Sequence, residues 1–205
     1  MKYETREFNL PTGQAGLPKL DGISDKQIEV HLGLYKGYVT HVNKLHDQIA
    51  ELTATDANKY AYAITETRRR LGFEFNGMRM HEYYFEQFDN GPKAIGQGLP
   101  LTTSLADKYG SWDGFIAHFK EVAMSRGIGW TVLYWDQIGN TPHVAWVTDH
   151  ELGTLAGLPI ILALDMWEHA FMVDYTPTEK AQYIDAFLSN VNWELVSTRY
   201  DKANK

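Results

Sequence analysis

The sequence predicts an α+β fold, helical in its first half and mixed in its second. Three observations carry that expectation. Apolar residues recur at helical spacing from Ile28 to Phe88, a tract dense in glycine and proline follows from Asn90-Gly91-Pro92 to Gly98-Leu99-Pro100, and beyond it strand-like apolar runs are interleaved with further helical patterns. The tract divides the chain into residues 1–91, an N-terminal arm and helical hairpin domain, and residues 92–205, a C-terminal α/β domain. A length of 205 residues at 44% hydrophobic content is enough to bury a sizeable core, as one domain or two intimately packed ones.

Residues 1–22 are rich in Gly and Pro without helical periodicity, so they read as an extended arm laid on the surface. Ser24-Asp25-Lys26-Gln27 has the form of a capping box. Behind it Ile28, His31, Leu32, Tyr35, Tyr38, Val39, Val42, Leu45 and Ile49 share one face of a long amphipathic helix. A second helix is expected from about residue 56 through 88, with Tyr60, Ala63, Ile64, Leu71, Met78, His81, Tyr84, Phe85 and Phe88 on a broad face that Gly72 and Gly77 weaken locally. After the tract, residues 103–109 and 111–125 read as helices, 129–135 as a strand, 136–140 as a turn, and 144–147 and 160–164 as two more strands. Residues 178–200 read as one or two closing helices.

Composition excludes several chemistries. There is no cysteine, so disulfides, thiolate metal sites, iron–sulfur clusters and cysteine nucleophiles are absent, and a metal would have to bind through N and O. A formal charge of −7 disfavours nucleic acid as a partner, and Arg68-Arg69-Arg70 lies among acidic neighbours as a solvated helix face. No stretch has the length that spans a bilayer, and Met1-Lys2-Tyr3-Glu4-Thr5-Arg6 opens no apolar signal region. A cytoplasmic protein without membrane partners is the expectation.

The run Asp165-Met166-Trp167-Glu168-His169, entered through Pro159-Ile160-Ile161-Leu162-Ala163-Leu164, sets a carboxylate and an imidazole four residues apart beside a buried element. Burying both is unfavourable unless they are paired or bound to a cation. On the residues alone a second reading stays open, with Asp165 ending a strand or capping a helix and His169 a satisfied core histidine.

The longer run from Ala163 to Phe171, with Asp174-Tyr175 behind it, resembles the D-x-W-E-H-A signature of the iron/manganese superoxide dismutases. Further segments resemble the family in the expected order: residues 73–88 around His81, Gly127-Ile128-Gly129-Trp130, and Asn190-Val191-Asn192-Trp193-Glu194. The resemblance implies a helical hairpin followed by a small three-stranded antiparallel sheet covered by helices. It implies His31, His81, Asp165 and His169 as ligands to one iron or manganese ion per subunit, and a superoxide dismutase activity in two one-electron half-reactions. Superoxide first reduces the metal and leaves as dioxygen; a second superoxide oxidises it, takes two protons and leaves as hydrogen peroxide. Tyr38 is implied as the gateway phenol, Trp130 and Trp167 as pocket walls, Tyr84 as a neighbour on the His81 helix, and Glu168 as the group that reaches the partner's ligand in a homodimer, with a tetramer as the alternative. His150, in Val147-Thr148-Asp149-His150, is implied as the hydrogen-bond partner of solvent at the metal, linking it to Tyr38.

Alternatives remain at single positions. His81 could be a surface residue beside Glu82, His150 a turn histidine after a strand, and His41 and His46 compete with His31. Tyr38 follows His31 by seven residues where the family has eight, a spacing that keeps both on one face if the helix is regular and lacks a one-residue bulge. Many relatives also carry His and Tyr at the positions of Leu34 and Met172, and Met80 stands where Asn is usual. That departure supports a second function: a metal-binding protein of the same fold with weak or no dismutase activity. A di-iron carboxylate bundle would need E-x-x-H on helices, whereas Glu168 immediately precedes His169.

Overall fold

The computed structural model describes residues 2–12 and 19–205. Helix α1 (Asp25–Asp56) and helix α2 (Ala61–Glu86) form an antiparallel hairpin, followed by α3 (Pro100–Tyr109) and α4 (Trp112–Ala123). Strands β1 (Trp130–Asp136), β2 (Thr141–Val147) and β3 (Ile160–Asp165) come next, and α5 (Lys180–Asn190) and α6 (Trp193–Ala203) close the chain. The sheet is antiparallel in the order β2-β1-β3, as the resemblance implied.

Ser24 caps α1, its hydroxyl accepting from the Gln27 amide at 3.0 Å. The expected capping box is only half formed. The Ser24 amide donates to Asp174 at 2.7 Å, and Gln27 is turned away to a distant segment. Between the long helices Asp56 Oδ1 accepts from the amides of Asn58 and Lys59 at 3.1 and 2.9 Å, so the second helix starts at Ala61 instead of near residue 56. That helix runs unbroken through Gly72 and Gly77. Helix α3 begins three residues before its expected start because Pro100 occupies its first turn, where a missing N–H is harmless.

The described part of the arm lies along the hairpin. Tyr3 exchanges two 2.8 Å bonds with Asn43, the Arg6 amide donates to the Tyr35 hydroxyl at 2.9 Å, and the Asn9 amide donates to Asp89 at 2.6 Å. Residues 1 and 13–18 of the expected arm lie outside the described residues. One core runs from the hairpin through the sheet, and among its largest fully buried side chains are Tyr35, Tyr84, Phe85, Trp130 and Tyr183.

Three elements meet at Glu86. Arg6 of the arm and Arg199 of α6 donate to its two oxygens at 2.9 and 2.7 Å. Burial alone would raise the Glu86 carboxyl, but the two guanidiniums outweigh it and hold it below its ordinary value of 4.5. A depressed folded-state value means that the contribution is complete above about pH 4.5 and is lost as pH falls through the lowered value. Thermal melts of Glu86→Gln should therefore show a melting temperature a few degrees lower at pH 7 and a smaller fall between pH 7 and pH 3. Equal pH slopes for the two proteins would refute this.

Candidate metal centre

Asp165 is the last residue of β3, and its backbone and side chain are both fixed. Its carbonyl accepts from the Tyr183 hydroxyl at 2.8 Å, and its Oδ1 accepts from the Trp167 amide at 2.8 Å. That leaves Oδ2 to face three imidazoles. Nε2 of His31 from α1 is 3.0 Å away, Nε2 of His169 from the 3-10 turn Glu168–Ala170 is 3.2 Å away, and Nε2 of His81 from α2 is 3.6 Å away. His31, His81 and Asp165 are fully buried; His169 retains 20% side-chain exposure. Its turn is tied to α1 by Gln27, which donates to the His169 carbonyl at 2.7 Å and accepts from the Val173 amide at 2.9 Å.

The four donors suit a single cation. His81 Nδ1 lies 2.6 Å from the Gly77 carbonyl, an acceptor only, so it carries the ring proton and Nε2 presents a lone pair. That Nε2 is buried without a hydrogen-bond partner and looks toward a carboxylate oxygen, an unfavourable pairing that a positive ion between them would reverse. Burial pushes both His31 and His81 below the ordinary imidazole value, which keeps them neutral as ligands must be. Burial would raise Asp165, but His169 and His31 outweigh it and hold the carboxyl ionised. One ligand atom from each residue lies within 4.8 Å of the others. Donors about 2 Å from a common ion stand about 3 to 4 Å apart, so the set fits one ion and not two.

Around this cluster, Tyr38 and His150 pack edge to face, with ring centroids 5.0 Å apart, and Tyr38 lies 5.0 Å from the His81 ring. His150 is fully buried, with no hydrogen-bond partner at either ring nitrogen; burial lowers it to about 4, so it is neutral at pH 7. Burial, with the Asp165 charge behind it, raises Tyr38 well above its usual range, so its phenol stays protonated. Trp130 meets the edge of the His81 ring at 5.2 Å, Trp167 stacks on His169 at 5.9 Å, and Tyr84 lies 4.8 Å from His31. Glu168 is exposed beside the cluster. The competitors His41 and His46 are exposed on α1, which is regular through His31 and Tyr38.

A family model described as iron/manganese superoxide dismutases, C-terminal domain, matches residues 97–199. A relative from Sulfolobus acidocaldarius named superoxide dismutase (iron) is 35% identical over 185 residues, covering 88% of this chain and 86% of its own length. Another of that name from Saccharolobus solfataricus is 32% identical over 208 residues, covering 98% and 97%. The chain belongs to the iron/manganese superoxide dismutase family. One named for manganese, from Mycobacterium intracellulare, is 33% identical over 201 residues, covering 96% and 94%. Both metals are therefore represented among its relatives, and the family is one of oxidoreductases.

Within this superoxide dismutase frame, three residues that matter to the site had no signal of their own. Tyr183 is fully buried, holds the Asp165 carbonyl and lies 3.2 Å from the Tyr84 hydroxyl; its sequence position reads only as helix interior. Phe73 places its ring 4.7 Å from His150 and carries the Arg70 guanidinium 3.9 Å from its ring centre, and Asn76 bonds the loop that carries His150. Leu34 and Met172 are 39% and 48% exposed.

Proposed function

We propose that the chain is a superoxide dismutase that holds one iron or manganese ion per subunit through His31, His81, Asp165 and His169, and converts two superoxide anions and two protons to dioxygen and hydrogen peroxide. The observation that carries this reading is the convergence of three imidazole Nε2 atoms, two of them from fully buried rings, on Asp165 Oδ2, with the His81 lone pair facing the carboxylate. When bound, the ion supplies one-electron chemistry by passing between its trivalent and divalent states.

The protein's part is to hold, shield and deliver protons. Tyr38, half-buried at the pocket wall and protonated at neutral pH, is the donor nearest solvent; neutral His150 behind it can take a proton at one ring nitrogen while releasing one from the other. Trp130 and Trp167 keep bulk water from the ring faces. With a net charge of −7, approach of the anion needs a local positive field, for which Lys36 and Lys180 are candidates.

The proposal extends to a cytoplasmic homodimer, with a tetramer as the larger alternative. Glu168 is exposed beside the part-exposed His169, and Leu34 and Met172 are exposed apolar side chains of the kind that a second copy would cover. Among the described residues no helix is long and apolar enough to cross a membrane.

The apolar character of Leu34 and Met172 favours one competing reading, a metal-binding member of the family with weak or no dismutation. Elemental analysis paired with dismutation rates on iron- and manganese-loaded protein separates the two. About one equivalent with fast turnover supports the enzyme; one equivalent without turnover supports the competitor; no metal retained sinks both. His150→Ala should keep its metal while losing roughly 10- to 100-fold in rate. An unchanged rate would remove His150 from the proton path.

A further inference from the structure

We propose that Asn76 is the positioning residue that fixes His150 relative to the metal centre. The inference rests on the reading of His150 given above and names what holds it in place.

The chain between β2 and β3 has no regular structure over residues 148–159. Asp149 Oδ1 accepts from the amides of Glu151 and Leu152 at 2.5 and 2.8 Å, which shapes the turn but anchors it to nothing outside itself. Glu151 meets Arg69 only at 3.4 Å and at the surface, a weak tether. The anchor is Asn76, whose Nδ2 donates to the His150 carbonyl at 2.5 Å. Among the described residues this is the one hydrogen bond that His150 makes, since its amide is unpaired and both ring nitrogens are without partners. The rest of the ring makes only packing contacts: with the rings of Phe73 at 4.7 Å, Tyr38 at 5.0 Å and Trp167 at 5.3 Å, and with the bare backbone of Gly77, where a Cβ would come within 2.8 Å of Nδ1.

Asn76 also stands five residues before His81 on the same helix. A single rigid element thus carries a candidate ligand and the tether of the imidazole beside it, so the separation of the two is set by helix geometry and not by a loop. The Asn76 amide supplies what is needed here: a carbonyl only accepts, so the side chain at 76 must present a donor that reaches it.

The test is a cycle of Asn76→Ala, His150→Ala and the double variant, each loaded with metal and measured for metal content, kcat, KM and the reduction midpoint potential of the ion. Expected for Asn76→Ala are unchanged metal content, a kcat about tenfold lower at unchanged KM, and a potential displaced in the same direction as in His150→Ala. In the His150→Ala background the same substitution should change kcat by less than about twofold, because a residue acting only through His150 has nothing left to act on. A full tenfold loss in that background, or an unmoved potential in Asn76→Ala, overturns the proposal. Asn76→Ser, of similar polarity but too short to reach, serves as a second variant and should behave as Asn76→Ala does. If the loaded parent shows no dismutation, the functional reading fails, while the potential cycle still decides the role of Asn76.

Discussion

Asp165→Ala is expected to abolish metal binding, with metal content falling from near one equivalent to near zero and dismutation falling by more than about a thousandfold. The carboxylate is the common neighbour of all three imidazoles and the only anionic donor among the four. Without it three neutral nitrogens remain, with no charge to offset dehydration of the ion. The loss should also be visible in stability. A ligand bound only by the folded state raises its melting temperature, so loading should raise that of the parent and leave that of Asp165→Ala unmoved. The metal-free Asp165→Ala protein should also melt below the metal-free parent, because the substitution leaves Nε2 of His31 and His169 and the Trp167 amide without their acceptor. Retention of one equivalent by Asp165→Ala would show that the ion sits elsewhere.

Gly77→Ala is the second large effect, and it acts through space instead of charge. A Cβ at position 77 would stand 2.6 Å from Cδ1 and Cε1 of Tyr38 and 2.8 Å from Nδ1 of His150. Ordinary carbon contacts are about 3.5 to 4 Å, so both rings must retreat by about 1 Å. Overpacking of this kind costs about 1 to 3 kcal/mol of stability. A displacement of that size at proton-relaying groups lowers a rate by about 100-fold. Metal content should survive, because the Gly77 carbonyl that orients His81 is untouched by the substitution. Calorimetry and steady-state rates on loaded protein check both halves. A variant as stable and as fast as the parent would mean that Tyr38 and His150 have room the geometry denies them.

What was legible in the sequence divides along the range of the interaction. The helices and strands were readable because burial periodicity is local: Ile28, Tyr35, Val39 and Val42 line the buried face of α1, as their spacing predicted. Element ends were less so, because they depend on single side-chain bonds such as those of Asp56. Asp165 and His169 announced themselves through a spacing of four beside an apolar run. His31 was separable from His41 and His46 only by resemblance; burial of the first and exposure of the other two is a tertiary fact. Contacts across the chain had no local signal at all. Gln27 matched a capping box yet bonds residues 142 and 146 positions away, and Asn76 reaches His150 across 74. Spacing shows which face a residue occupies, and nothing of what stands opposite.

The register of the sheet bears on how this chain can change length over evolutionary time. Trp130 is paired with Asp165 on one side and Val147 on the other, so one rung lines up the carboxylate with the strand end that leads to His150. From Trp130 to Leu133 the β1–β3 ladder is in strict step, and it slips only between Leu133 and Tyr134, at the end remote from the cluster. An inserted residue beyond Tyr134 meets a ladder already out of step and a turn ready to absorb it. One inserted in β3 between Leu162 and Asp165, where the ladder is in step, would rotate Asp165 to the opposite face of the sheet and take the metal chemistry with it. Descendants of this sequence are therefore free to lengthen at the far edge and bound to keep count at the near one.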